Sequence, residues 1–229
     1  MTFHNYISYY LFFILFVYPS FGVETITPLG RLGHSAVLIE NKLYFFGGEI
    51  NFYVCLNDVL YLDVSQRFDI SSPPFFNVTE NEGMPFKGCW GTFLLSEVNN
   101  EQPIFLFSGY TYDLVTNKDS FTSLAHTFDP KLREWNTPII AGNAPQRRIR
   151  IQSVIDDLGN SYIFGGRTDN KIGKRHRNFN DMIILHTKNL TWSYGSIIDA
   201  PLETTILYCN IIIKWFDCIL LLPNKKCDL

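Results

Sequence analysis

An apolar stretch closed by a glycine doublet recurs three times at a nearly constant interval, and nothing else in the sequence constrains the fold as tightly. The first copy runs Arg31-Leu32-Gly33-His34 into Ser35 to Leu38, turns at Asn41-Lys42, and continues Leu43-Tyr44-Phe45-Phe46-Gly47-Gly48. Asn57-Asp58 follow, then Val59 to Asp63. The third copy starts with Arg150, which stands where Arg31 does, and runs through Ser153-Val154-Ile155, a turn over 156–160, and Ser161 to Gly165-Gly166. It ends with Asn180-Asp181, Met182 to Leu185, and Trp192. The second copy is worn. It reads Gly88-Cys89-Trp90, then Pro103 to Ser108-Gly109 with a serine in the first glycine place, then Leu124 to Asp129 and Trp135. Gly48 to Gly109 is 61 residues, Gly109 to Gly166 is 57, and Trp135 to Trp192 is again 57. A unit recurring at such a period cannot bury its faces alone and must stack on its neighbours.

Each landmark has a structural reading. Paired glycines at the end of a strand permit positive φ and close approach of backbones. Asn57-Asp58 and Asn180-Asp181 are turn formers ahead of the next strand, able to bond their own backbone. Trp135 and Trp192 are large enough to fill the space between adjoining units, each with an indole N–H that needs an acceptor. Aromatic residues make up 16% of the chain, with 20 Phe and 12 Tyr, which suits the pleated, half-buried surface of strands. The fold class expected is all-β.

An apolar strand closed by Gly-Gly, an Asn-Asp before the next strand, and a Trp after the following turn resemble the kelch repeat, over about Arg31 to Trp192. The spacing exceeds the roughly 50 residues of that repeat. The excess falls after each glycine doublet, over 49–56, 110–123 and 167–179. The resemblance implies a β-propeller portion of three four-stranded blades, at about 31–80, 85–138 and 144–195, plus a partial or degenerate fourth. A ring needs about four to eight blades, and residues 200–229 show neither a glycine doublet nor an Asn-Asp turn. A truncated form of a longer kelch protein is therefore the expectation, with 200–229 an unpatterned tail.

The same resemblance implies a rigid frame whose three insertions gather on one face and form a binding surface. The basic run Lys171, Lys174, Arg175 and Arg177 lies in the third insertion as a candidate binding loop. In an up-and-down blade, the loop after the second strand and the start of the next blade share one side. Cys55 and Cys89 are accordingly a candidate disulfide joining blades one and two. Galactose oxidase is a propeller of this type, so a degenerate copper oxidoreductase is the alternative. Its required ligands do not carry over, because His34, His126, His176 and His186 are scattered with no pair at ligand spacing. No nucleophile elbow and no phosphate loop stand out, so no catalytic residue, metal or cofactor is assigned.

Residues 1–22 read as a secretory signal: an apolar run from Ile7 to Val17, then Ser20 and Gly22 ahead of a polar continuation at Glu24. Export would make the sequons at Asn77 and Asn189 glycosylation acceptors. It would also place the five cysteines in an oxidising compartment, with one left over. The apolar stretch 206–222 is broken by Asn210, Lys214 and Asp217, which argues against a membrane anchor. A net charge of -3 and a pI near 5.9 supply no field for nucleic acid. These observations together predict an exported, non-catalytic module that recognises a protein or a carbohydrate through its loops.

Overall fold

The computed structural model describes residues 25–51, 54–96, 103–168 and 177–196. In the first part of the chain lie β1 (Thr25–Ile26), β2 (Ser35–Ile39), β3 (Lys42–Phe46), β4 (Glu49–Ile50), β5 (Val54–Cys55), β6 (Val59–Asp63), β7 (Phe75–Asn77) and the short helix α1 (Thr79–Glu82). There follow β8 (Lys87–Cys89), β9 (Thr92–Leu95), β10 (Ile104–Phe107), β11 (Tyr110–Tyr112), β12 (Ala125–Asp129) and β13 (Glu134–Asn136). The last are β14 (Gln152–Ile155), β15 (Asn160–Phe164), β16 (Met182–His186) and β17 (Thr191–Tyr194).

Three larger sheets, antiparallel throughout, account for most of these strands. Their orders are β1-β7-β6-β3-β2, β13-β12-β10-β9 and β14-β15-β16-β17. Two ribbons complete the set: β4-β5 within the first insertion, and β8-β11, which pairs the second copy's lead-in with the second insertion. The first sheet has one strand more than a four-stranded unit, because β1 pairs with the outer side of β7 through Thr25 and Ile26. Strands β2, β9 and β14 form the inner edges and lie side by side, tied by Ser35 Oγ donating to Gly91 O at 3.1 Å and by a 3.0 Å bond between the Thr92 and Ser153 hydroxyls.

Alternation of side chains gives every sheet two apolar faces. The face of the first sheet bearing Val37, Tyr44, Phe46 and Val59 packs on Ile104, Leu106 and Phe128 of the second. The opposite face of the second sheet, with Leu94, Phe105 and Phe107, packs on Ile163, Ile183 and Leu185 of the third. This is why β10 is buried at all four of its positions. Trp135 lies in the first of these layers with its ring 5.0 Å from Phe128, and its Nε1 donates to Glu82 O at 3.0 Å. Trp192 lies in the second layer, 5.3 Å from Phe107.

Several sequence expectations need correction. The first hairpin turns at Glu40-Asn41, not Asn41-Lys42: Glu40 takes the left-handed φ of 51° and Lys42 already belongs to β3. The strand registers also realign the lead-in segments. Gly33, Trp90 and Arg150 each stand two residues before an inner strand, so His34 corresponds to Gly91. The third-copy counterpart of Arg31 is Arg148, four residues ahead of β14. The aspartates of the Asn-Asp pairs do not bond their own backbone. Asp58 takes both of its bonds from Arg31 at 2.7 and 2.8 Å, and Asp181 is held by Arg148 at 2.6 and 3.2 Å.

Candidate functional site

The glycine doublets place the insertions and the lead-in segments at one end of the sheets. Gly48, Gly109 and Gly166 have φ of 104°, 89° and 83°, and a Cβ on Gly109 would lie 2.6 Å from the Gly91 nitrogen, so the chain leaves each second strand over its neighbour's backbone. The second copy keeps this bend with Ser108 at φ 58°. Its hydroxyl donates to Arg148 O at 2.5 Å and accepts from Arg148 N at 2.9 Å, which compensates the strained conformation.

Two copies secure this end with a buried arginine. Arg31 Nη1 donates to Gly47 O at 3.1 Å as well as to Asp58, and Arg148 Nη1 donates to Gly165 O at 3.0 Å as well as to Asp181. One guanidinium thus ties the lead-in, the doublet and the strand after the insertion. In the second copy the place of Arg31 is taken by Gly88, and a different link is used. Cys55 and Cys89, both buried, are joined by a disulfide with Cα atoms 5.5 Å apart. It connects β5 of the first insertion to β8, which pairs with β11 of the second insertion. Arg147 links the second insertion to the third lead-in, donating to Gly109 O at 2.9 Å and to Asp119 at 3.0 Å, with its guanidinium 4.4 Å above Phe121. In the third insertion Arg167 pairs with Ile149, and Phe179 lies between Arg148 and Arg177, 3.9 and 5.5 Å from its ring. Lys171, Lys174 and Arg175 lie outside the described residues.

At the centre of this end is a column formed by the three equivalent positions. Gly33, Trp90 and Arg150 all have left-handed backbone, with φ of 62°, 62° and 57°. Trp90 N donates to Gly33 O at 2.7 Å, and Arg150 N donates to Trp90 O at 3.0 Å. Gly33 packs on the indole, where a Cβ would meet its ring at 2.6 Å, and the Arg150 guanidinium lies 4.5 Å from the ring centroid. Trp90 Nε1 donates to Glu49 Oε2 of the first insertion. Beside the column is a recess of about 380 Å³ lined by His34, Ser35, Trp90, Arg150, Gln152 and Ser153 among others. Unlike Arg31, Arg147 and Arg148, Arg150 has no carboxylate partner among the described residues. The column was not legible in the sequence, because glycine, tryptophan and arginine share no side-chain chemistry; only the registers of β2, β9 and β14 align them.

A larger recess of about 550 Å³ at the other end is lined by Leu38, Phe93, Leu95, Ile155, Asp156 and Tyr162 among others. Asp156 is held below the usual carboxylate range: burial works against this, but bonds from Asn160, Tyr162 and Leu158 outweigh it. Its oxygens are already engaged in holding the β14–β15 turn.

The described histidines do not converge. His34 is kept below its ordinary value by burial and then by Arg31. His126 packs 4.5 Å from Phe86, bonds Thr137, and is lowered by burial. His186 is held by Asn160 and Ser193, each at 2.7 Å. Among the described residues no group of three His, Cys, Asp or Glu side chains is placed to hold a metal ion. His176 lies outside the described residues; among those described the donors do not fit a copper site, and Cys55 and Cys89 are bonded to each other rather than to a tyrosine.

The sheets and landmarks define a kelch-type β-propeller fold, in keeping with the kelch-repeat resemblance of the sequence. Its sequence is similar to Kelch domain-containing protein 3 of Homo sapiens, 26% identical over 185 residues that cover 79% of this chain and 43% of that protein. The Rattus norvegicus protein of the same name is 25% identical over the same coverage. The chain thus spans less than half the length of the curated relatives it matches. The solved structure of YjhT superposes with a TM-score of 0.53 at 12% identity, over 74% of this chain and 51% of that one, a likeness of fold alone. A scan against models of protein families finds no match.

Proposed function

We propose that this chain is a non-catalytic interaction module that holds a protein partner at the insertion-bearing end of its sheets, with the Trp90–Arg150 column at the centre. The carrying observation is Arg150. It lies over an indole beside a recess, and no described carboxylate neutralises it, whereas Arg31 and Arg148 of this end are each paired with an aspartate. Such a cation, held rigid before binding, costs little entropy to engage and offers a planar fork to a carboxylate. A protein is favoured over a carbohydrate because sugar recognition uses an open aromatic face, and Gly33 and the Arg150 guanidinium already lie against the Trp90 ring.

Export is part of the same reading. It is supported by the disulfide between Cys55 and Cys89 and by the exposure of both sequon asparagines, Asn77 and Asn189. Residues 1–22, read as the signal, lie outside the described residues, as does 206–222. Among the described residues no helix is long and apolar enough to cross a membrane.

A display selection of random peptides on the purified chain tests the binding reading. Binders should lose at least tenfold in affinity on Arg150→Glu and weaken with added salt. They should be unaffected by Lys188→Glu, an exposed residue at the opposite end. Selected peptides that bind Arg150→Glu as well as the original chain would refute the assignment.

A further inference from the structure

The Cys55–Cys89 disulfide closes a circuit of four residues that includes the indole of the central column. Cys55 lies directly opposite Glu49 in the β4–β5 ribbon, so their side chains share one face. Glu49 Oε2 accepts from Trp90 Nε1, and Trp90 follows Cys89 in the chain. From Cys55 through Cys89, Trp90 and Glu49, the circuit runs over a disulfide, a peptide bond, a side-chain hydrogen bond and a strand pair. The column depends on the same indole, since the Arg150 guanidinium lies 4.5 Å from its centroid.

This link differs in kind from its counterparts. Arg31 with Asp58 and Arg148 with Asp181 hold parts of one copy together, whereas the disulfide joins two copies and opens by electron transfer. Cys55 and Cys89 are 4% and 5% exposed, so both sulfurs lie in close-packed surroundings. Two thiols need more room than one disulfide, and no gap at the surface supplies it. Opening the bond therefore pushes Cys55 and Cys89 apart. The backbone around them stays anchored, because Gly48 N donates to Gly88 O at 2.9 Å and Gly88 N to Leu56 O at 2.8 Å. The displacement falls on the side chains and on the two-residue pairing of β4 with β5. The single hydrogen bond from Trp90 to Glu49 is the contact on which it converges.

We infer that the Cys55–Cys89 pair is a redox gate on the Trp90–Arg150 site: the disulfide fixes the indole that supports Arg150, and the dithiol form releases it and binds a partner's carboxylate more weakly. A dithiol reductant opens the gate. One of its thiolates attacks one cysteine sulfur, and the other cysteine leaves as a thiolate. Its second thiol then displaces the first cysteine, so the reductant gives two electrons and two protons, becomes a disulfide, and leaves Cys55 and Cys89 as thiols.

The inference rests on the binding reading above, and the experiment separates the two. The probes are peptides selected on the oxidised chain for dependence on Arg150, and opening of Cys55–Cys89 is followed by alkylation and mass mapping. Peptide affinity should fall at least about fivefold on reduction, the lower end of usual coupling between linked sites, and return on reoxidation. Glu49→Ala with the disulfide intact should show a similar loss and respond little to reductant, because the gate acts through that contact. In Cys55→Ala/Cys89→Ala the reductant should change nothing. A second readout needs no ligand: the Trp90 indole N–H, assigned by its absence from Trp90→Phe, should shift and exchange faster on reduction while far-UV circular dichroism stays the same. If no selected peptide depends on Arg150, the binding reading fails and the indole signal alone decides the gate. Equal binding by the reduced and oxidised chains, an indole signal unmoved by reduction, or global unfolding of the reduced chain at the assay temperature would each overturn the gate. Free thiols at Cys55 and Cys89 in the oxidised chain would do the same.

Discussion

At the scale of residues, the buried ionic groups show how unequal two ends of one contact can be. Arg148 is 1% exposed at its side chain while its partner Asp181 is 27% exposed. Removing the carboxylate strands a guanidinium in the interior, whereas removing the guanidinium leaves a carboxylate that water can reach. Asp181→Ala should therefore cost about 3–5 kcal/mol, the range for an uncompensated buried charge, and Arg148→Met about 1–3 kcal/mol, measured by urea unfolding. Equal losses would mean that the pair is solvated symmetrically. Glu82 makes a pH prediction. It is almost fully buried, 3.3 Å from Arg133, and one carboxylate oxygen has no partner. Burial pushes its carboxyl above the ordinary value of 4.5, against the pull of Arg133 and Lys42. The folded chain then keeps this proton to higher pH than the unfolded chain, so stability falls as pH rises from about 4.5 through the raised value and levels off beyond it. Glu82→Gln should remove that slope and unfold at higher urea than the original chain at neutral pH. An unchanged slope would mean that another group sets it.

At the scale of elements, the sequence showed what repeats as residues and concealed what repeats as geometry. The glycine doublets, the strands they close and the two tryptophans were visible because each needs a particular side chain or the lack of one. The kelch resemblance and the all-β class followed from them. The arginine clamps were misread, since Asn-Asp is a turn signal in any local sequence and only the tertiary structure brings Arg31 to Asp58 and Arg148 to Asp181. The register error in the third copy had the same origin: Arg148 and Arg150 are two residues apart and equally good matches to Arg31 by identity. The worn second copy was hard to align because it exchanged one device for another. Gly88 replaces the arginine, Leu124 stands where the aspartate would be, and the Cys55–Cys89 disulfide makes the link instead. The three insertions lie at one end for a reason the repeat did carry, since each follows a doublet at the same strand end, and the first two doublets turn toward the next lead-in, Gly48 N donating to Gly88 O and Gly109 N to Arg148 O.

At the scale of the whole molecule, the stacking order decides where stability resides. In an array whose units touch only their neighbours, each unit is stabilised by its own strands and by the layers on either side. The second sheet has a described layer on both faces, and Ile104 and Phe107 within it are fully buried. The first sheet has one such layer and an outward face with Leu38 exposed, while its β1 is a two-residue strand at the outer edge. Local openings that break the outer sheets should therefore cost less than an opening that exposes β10, which must separate both layers. Native-state hydrogen exchange should find the amides of Ile104–Phe107 the slowest in the chain and those of β1 among the fastest. Mild denaturant should merge the first sheet's exchange with global unfolding only after a separate, lower-energy opening. If β3 of the first sheet exchanged as slowly as β10 under every condition, the three sheets would unfold as one unit, and the layer count would not govern their stability.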